Sequence, residues 1–373
     1  MKTVEEVMKG VLSQPTAPYR ENWVLSHIEN ELKKLSVPFF RDSWGNIVAG
    51  TSSPASLKKS KRVVLVAHTD HPGFHLLKEI EKNVWQAQWF GGVPPKTYLS
   101  QVAIHHPKNP GFVAKGQIIS RKFFGPKKNL FLIKIKKNPF LLNSNCFGAF
   151  DYNGFVKRGS RIITRAADDL AGVTIILSTL ARLKKTERKN ILGLFTRAEE
   201  TGFRGALGFI YKKILGPENT VISLEASRQL EGARIGSGPV IRLGDKRSLF
   251  DSTVTARLDE AAAYLSKRKK AFKVQRRIMN GGTCEATAFG LHGFRSSGIA
   301  VPLGHYHNQR PNGRPGPEFV DLRDVENAVR LCVEFYKQTH KGVDPISELV
   351  KKMSSGFKTD SKYLHQEVEF SYV

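Results

Sequence analysis

Two adjacent carboxylates, Glu199-Glu200, stand where the apolar run Ile191-Leu192-Gly193-Leu194-Phe195 stops and Thr201-Gly202 begins. Neighbouring side chains leaving a strand point to different sides, so one carboxylate can hold a metal ion while the other handles the proton of an attacking water. Glu-Glu is also common on solvated helix faces, and the pair gains meaning only from its company. His68-Thr69-Asp70 closes another apolar run, Asp168-Asp169 opens a helical pattern, Glu225 closes a third run and His307 lies near a fourth. Carboxylates and imidazoles suit zinc, cobalt and manganese, and a bridging carboxylate lets two such ions share a water. The competing reading of Asp168 and Asp169 is structural, because a carboxylate at a helix start caps free backbone N–H groups.

These residues need a frame. Short apolar, β-branched runs at residues 63–67, 191–195, 221–224 and 298–301 read as buried strands, with helical patterns between them. In one largely parallel sheet their C-terminal ends share an edge, where open α/β sheets build their sites. His68, Glu199, Glu200 and Glu225 would converge there. Ahead of the first strand, helices over 2–13 and 20–35 precede a hairpin whose arms, 38–42 and 46–49, flank a turn containing Gly45. Residues 73–160 break the rhythm with strand-like pieces at 111–114, 117–120 and 130–135, separated by Gly, Pro and Asn. The pattern predicts an α/β catalytic domain formed by 1–72 and 161–373, with a mostly parallel central sheet flanked by helices, and a small inserted all-β module over 73–160. A helix is expected from 168 to 183, and the Lys-rich end from about 350 to 373 reads as a helix followed by a tail.

Composition narrows the class. With 373 residues, 40% hydrophobic and 25% charged, the chain has ordinary globular values and is not a disordered protein. No apolar stretch approaches the length of a membrane span, and the N-terminus reads as a soluble amphipathic helix. Cys146, Cys284 and Cys332 are odd in number and far apart, which argues against a disulfide framework and a thiolate zinc site and fits a reducing cytoplasm. The formal charge of +26 makes nucleic acid, an anionic surface or an acidic substrate conceivable partners. The basic residues are nevertheless scattered, and runs such as Lys134-Ile135-Lys136-Lys137 and Lys267-Arg268-Lys269-Lys270 read as solvated loops and strand edges. Neither a membrane nor a nucleic-acid partner is therefore expected. Acids are scarce in this chain and yet double up beside apolar segments, where an unpaired carboxylate is costly and a metal offsets the cost.

At this point the chain resembles a known family. Val66-Ala67-His68-Thr69-Asp70, Ala167-Asp168-Asp169-Leu170-Ala171-Gly172, Glu199-Glu200-Thr201-Gly202, Gly236-Ser237-Gly238-Pro239, Gly281-Gly282-Thr283 and His305-Tyr306-His307-Asn308 resemble, in order and spacing, the motifs of the tetrahedral and glutamyl aminopeptidases. These are di-zinc exopeptidases, some of whose relatives carry an endoglucanase label, and the resemblance runs from about residue 1 to 340. It implies that Asp168 bridges two divalent ions, zinc first and cobalt or manganese as substitutes. His68 and Glu225 would complete one site, and Glu200 with His307 the other. Glu199 would be the general base toward a water shared by the two ions, and Asp70 would orient His68 through its far ring nitrogen. Asp169 would sit behind Asp168 in a strained turn.

The resemblance further implies peptide substrates with a free N-terminus, a cytoplasmic enzyme and a homo-oligomer in whose assembly and substrate access the inserted module takes part. Three departures from the family pattern stand out: His71-Pro72 where an acid is usual, Glu225 for Asp, and Cys284 for Asp after Gly-Gly-Thr. Glu225 remains a competent ligand, while His71 and Cys284 bear on substrate preference.

Other residues have plainer readings. In an extended segment His305 and His307 share a face, and the motif favours His307. Cys284 reads as a small buried thiol, His105-His106 as part of a turn, and Gly236 to Pro239 as a turn that supports the site. The alternatives to an aminopeptidase are a metal-dependent deacylase on the same scaffold, a glycosidase, and a basic nucleic-acid binder that has kept a peptidase scaffold.

Overall fold

The computed structural model describes residues 2–59, 61–109, 111–123, 129–137, 140–342 and 345–365. Its central sheet has eight strands in the order Phe39–Arg41, Ile47–Ala49, Ile191–Thr196, Val63–His68, Thr220–Arg228, Arg295–Leu303, Val240–Asp245 and Gln275–Met279. The four runs read from the sequence form its parallel middle. Val63–His68 and Ile191–Thr196 are buried at every position, as expected of strands covered on both faces.

Alternation divides those faces. Leu65, Ala67, Ile222, Leu224, Ile299 and Val301 join a core shared with the helices Val4–Leu12, Leu170–Arg182, Ser252–Arg268 and Leu322–His340. Val64, Val66, Leu192, Leu194 and Val221 point the other way, toward Phe209 of the helix Arg204–Tyr211 and Phe289 of Glu285–Leu291. Register then aligns the site. Thr196 lies beside His68, and Glu225 follows by two residues Ser223, the partner of Val66.

Six antiparallel strands close a separate barrel in the order Gly73–Glu81, Val84–Phe90, Asn129–Lys137, Val113–Phe123, Gln101–His105 and Phe147–Phe150. Phe74, Trp89, Phe131 and Phe150 fill it. The pieces expected at 111–114 and 117–120 are one strand, Val113–Phe123. Gly116, which punctuates the sequence like a turn, lies within that strand, where a Cβ would come 2.8 Å from Ile133 Cγ2. His105 also departs from the turn expectation. It ends a strand, buried against the ring of Phe147, and burial pushes its pKa down to about 3.

Beyond the last barrel strand the chain leaves the module. Val156–Arg158 pairs with Arg161–Thr164, which pairs with Glu318–Asp321 in a three-stranded sheet of their own. The C-terminal pattern forms the helix Pro345–Asp360 and a short turn to His365; the expected tail beyond lies outside the described residues. Among the described residues no helix is long and apolar enough to cross a membrane.

Candidate metal centre

His68 is the last residue of its strand and is buried. Its Nε2 lies 3.4 Å from Asp168 Oδ1 and 3.9 Å from Glu199 Oε2. The other oxygen of Asp168 faces a different imidazole: Oδ2 is 3.5 Å from His307 Nε2, which in turn is 3.0 Å from Glu200 Oε1. Two clusters result, His68-Asp168-Glu225 and Asp168-Glu200-His307, each offering ligand atoms that all lie within 4.8 Å of one another. Asp168 belongs to both. His305 stays apart, with Nδ1 2.9 Å from Pro317 O and its ring edge-on to Phe319.

The Asp168-Asp169 peptide is cis, and the two side chains divide their work. Asp169 caps the helix Leu170–Arg182, accepting from Gly172 N at 3.0 Å, while Asp168 faces the site. The capping role therefore belongs to the second aspartate alone.

Glu199 and Glu200 do not continue a strand as the sequence suggested. The strand ends at Thr196, and the pair sits in a 3₁₀ turn reached through Ala198 in the left-handed region, φ 52°. Such a conformation is unfavourable for a residue with a Cβ and needs outside support. Buried Glu21 supplies it, accepting from Ala198 N at 3.1 Å and Arg197 Nε at 2.9 Å. Asp70 supplies the rest through its two oxygens, which accept from Glu199 N at 2.9 Å and Glu200 N at 3.1 Å. Its carboxylate is 3.5 Å from His68 Nδ1, whose nearer partner is the Asp70 main-chain oxygen at 3.1 Å. Asp70 is thus first a clamp on the Glu199-Glu200 turn and only then a neighbour of His68.

Electrostatics in the cluster are dominated by burial and by an excess of carboxylates. Burial pushes Asp168 up, but the imidazoles of His307 and His68 outweigh it and hold the carboxyl well below its ordinary range. Burial raises Glu199 well above the carboxylate range and Glu225 to about 8, with His68 opposing in both cases. For His68 burial favours the neutral ring, yet Glu199, Asp168 and Asp70 together raise its pKa well above the usual value.

The donor set fits divalent cations. Among the described residues, Asp168 Oδ1, Glu200 Oε1 and His307 Nε2 are buried without hydrogen-bond partners, although the last two are 3.0 Å apart. They approach without hydrogen-bond alignment, as ligand atoms aimed at a common third point do.

Around the site the structure adds residues that the sequence reading missed, Glu318, Gly92 and Glu285, and gives contacts to two that it had noticed, His71 and Tyr306. Buried Glu318 accepts from Ala167 N at 2.7 Å and Asp168 N at 3.1 Å through Oε2, and from His307 N at 2.8 Å through Oε1. His71, where the family usually has an acid, places Nδ1 2.5 Å from Asp168 O and Nε2 3.1 Å from Asn308 Oδ1. Tyr306 stacks on His307 with ring centroids 3.8 Å apart. The barrel also reaches the site: a Cβ on Gly92 would fall 2.0 Å from His307 Nδ1, so only glycine allows this approach. Buried Glu285 accepts from Thr196 Oγ1 at 2.6 Å, and burial raises its pKa to about 7.

Beside Glu225 a small pocket is lined by Ser227, Arg228, Arg242, Met279, Thr283 and Tyr306. Arg242 is buried, with Nη1 3.4 Å from Ser227 Oγ and Nε without a hydrogen-bond partner among the described residues, and Cys284 lies near it where the family pattern has an acid. Cys284 is a buried thiol pushed up to about 12 by burial, and its N donates to Asp245 Oδ2 at 3.0 Å. The turn from Gly236 to Pro239 leads into the Arg242 strand and is tied by Gly236 N and Gly238 N to Asp324 at 2.6 and 2.7 Å.

Fold and site define an α/β protein whose parallel-sheet edge carries two histidine-carboxylate clusters sharing one aspartate. Over residues 145–331, half of its length, the chain matches the family described as M42 glutamyl aminopeptidase, and it belongs to that family of peptidases. A relative from Acetivibrio thermocellus, named provisionally as an aminopeptidase, is 24% identical over 328 residues, 84% of this chain and 92% of its own. An aminopeptidase structure from Desulfurococcus kamchatkensis is similar with a TM-score of 0.72 at 22% identity, covering 89% of this chain and 94% of that one. The TET1 peptidase of Pyrococcus horikoshii, described as assembling into a tetrahedron or a large octahedral shell, gives 0.71 at 19% identity, over 90% of this chain and 99% of that one.

Proposed function

We propose that this protein is a cytoplasmic di-metal aminopeptidase that removes the N-terminal residue of peptides. The observation that carries this reading is Asp168, whose two oxygens face two different histidine-carboxylate clusters. When bound, two divalent ions, zinc first and cobalt or manganese as substitutes, would supply Lewis acidity to the scissile carbonyl and the attacking water, with His68, Asp168 and Glu225 holding one and Asp168, Glu200 and His307 the other.

Glu199 has no ligand role in this scheme. It accepts the proton of the attacking water and returns one to the leaving amine, a task suited to a carboxylate whose pKa burial has raised. Asp70 fixes the turn so that Glu199 and Glu200 splay to separate duties. The Gly91-Gly92 loop of the barrel covers Glu200 and His307, which limits access to the site. A homo-oligomer in which the barrel shapes the route to the site accords with the assembly described for the TET1 peptidase.

Chelation tests the metal requirement. Activity against aminoacyl chromogenic substrates is expected to vanish in a chelator and to return with zinc, cobalt or manganese. A glycosidase working through two carboxylates would survive the chelator. Activity that persists in metal-free protein would end the di-metal reading.

The pocket beside Glu225 supports a preference for acidic N-terminal side chains, because Arg242 is buried with an unpartnered Nε. Arg242→Gln is expected to lower kcat/KM for an N-terminal Glu substrate by about tenfold or more, roughly 1.4 kcal/mol, and to affect a Leu substrate far less. Equal losses on both substrates would remove Arg242 from substrate selection.

A further inference from the structure

The helix Pro345–Asp360 lies past the end of the family resemblance and plays no part in the site. At 100° per residue, Leu349, Val350, Met353 and Phe357 fall on one side of it, which Asp360 closes at the last helical position, while Ser347, Lys351, Ser354, Ser355 and Lys358 fall on the other. The apolar side is open to solvent: Leu349 is 52% exposed, Val350 55%, Met353 67% and Phe357 64%. Tyr363 and Leu364, just beyond the helix, are also exposed. An exposed apolar stripe from Leu349 to Phe357, a little over two turns of helix, marks a contact surface.

Charge decides among occupants. The helix packs beside Ser252–Arg268, whose end runs into the exposed basic stretch Lys267-Arg268-Lys269-Lys270; it carries Lys351, Lys352 and Lys358 against Glu348 and Asp360, and Lys362 follows just beyond its end. The whole chain has a formal charge of +26. A second copy would bring equal positive charge to the same face. The stripe is also small for such a contact, offering on the order of 400 Å² at ~100 Å² per side chain against roughly 800 Å² per partner in a standard interface. Nucleic acid would satisfy the lysines and leave the apolar side chains wet. An anionic bilayer surface satisfies both, taking the apolar face into the headgroup boundary while lysines meet lipid phosphates.

We propose that the helix Pro345–Asp360 attaches this peptidase peripherally to anionic lipid surfaces, lying in the interface plane without crossing it. This replaces the expectation that the chain has no membrane partner, and it is compatible with a cytoplasmic enzyme because the cytoplasmic leaflet is negatively charged. Attachment does not depend on the peptidase chemistry, so the two readings fail separately.

The test is flotation of the full-length protein with phosphatidylcholine vesicles and with vesicles of equal parts phosphatidylcholine and phosphatidylglycerol. Binding is expected only to the anionic vesicles, falling at least tenfold in Met353→Glu/Phe357→Glu and less in Lys351→Glu/Lys352→Glu, with peptidase activity unchanged in free solution. In a second measurement, Phe357→Trp is expected to add fluorescence that brominated anionic lipid quenches. Any of four results overturns the proposal: no anionic-vesicle binding, binding that survives the Met353/Phe357 change, added indole fluorescence in Phe357→Trp that brominated lipid leaves intact, or a changed subunit number by light scattering, which would assign the stripe to a second copy. Binding to DNA that is lost in the same Met353/Phe357 variant while vesicles go unbound would assign it to nucleic acid.

Discussion

Glu199→Gln is expected to leave metal stoichiometry intact while lowering kcat by about two to four orders of magnitude, the usual weight of a general base. The substitution keeps the volume of the side chain and the backbone N–H that Asp70 Oδ1 holds at 2.9 Å, so the turn should not move. The proposed role as base accords with Glu199 being the less enclosed of the pair, with 12% of its side chain exposed against 5% for Glu200. Its Oε2 lies 3.9 Å from His68 Nε2, and it belongs to neither ligand cluster. Glu200→Gln should behave in the opposite way, lowering the metal content of the His307 cluster before any effect on the chemical step. The measurement is metal analysis beside steady-state kinetics on both variants. Metal lost from Glu199→Gln would falsify the division of roles.

The geometry behind this proposed division was only partly legible in the sequence. The parallel strands could be found because strands covered on both faces are written as unbroken apolar runs, and Val63–His68 and Ile191–Thr196 are buried throughout. His68, at the end of its strand, stood out for the same reason, whereas Glu225 lies within Thr220–Arg228 and Glu199-Glu200 beyond Thr196. The separation of Glu199 from Glu200 could be anticipated, but its assigned cause was wrong. It comes from a left-handed Ala198 and a 3₁₀ turn, which nothing at Arg197-Ala198 announces, since the support comes from Glu21 and Asp70, far away in the chain. The barrel was legible as a region of short strands and Gly-rich breaks, though not in its register. Gly116 and Gly92 look alike as letters, yet one sits within a strand and the other lets a loop touch His307.

Arg242 and Glu318 were missed for a common reason. Each lies in a strand of mixed polarity, Val240–Asp245 or Glu318–Asp321, and its importance depends on distant partners. A carboxylate that binds backbone N–H groups leaves no matching residue type in the sequence. His71 shows the reverse case. It was visible as a departure from the family pattern, and its role in tying Asp168 O to Asn308 Oδ1 required the folded chain.

Glu318 is accordingly expected to be among the costliest residues to alter outside the ligand set. Its carboxylate is fully buried and accepts from three backbone N–H groups, those of Ala167, Asp168 and His307. One side chain therefore fixes the backbone of the shared aspartate and of the histidine in the second cluster. Glu318→Ala leaves three buried donors without acceptors, at about 1–3 kcal/mol for each unsatisfied group, and a total loss of about 3–5 kcal/mol is expected if the segments relax in part. Glu318→Gln preserves shape but offers one acceptor oxygen, and its NH₂ would face either the Asp168 or the His307 N–H, so a loss of about 2 kcal/mol or more should remain. Both variants should also bind metal more weakly at the Asp168-Glu200-His307 cluster. Asp321→Asn is the control. Asp321 is a buried acid on the same strand whose partners are Ser160 and Arg323, and its loss should cost stability without touching metal affinity. Denaturant unfolding and calorimetric metal titration on the three proteins separate the effects. If Glu318→Gln binds metal as tightly as the unaltered chain, the carboxylate holds the fold alone and does not position the centre.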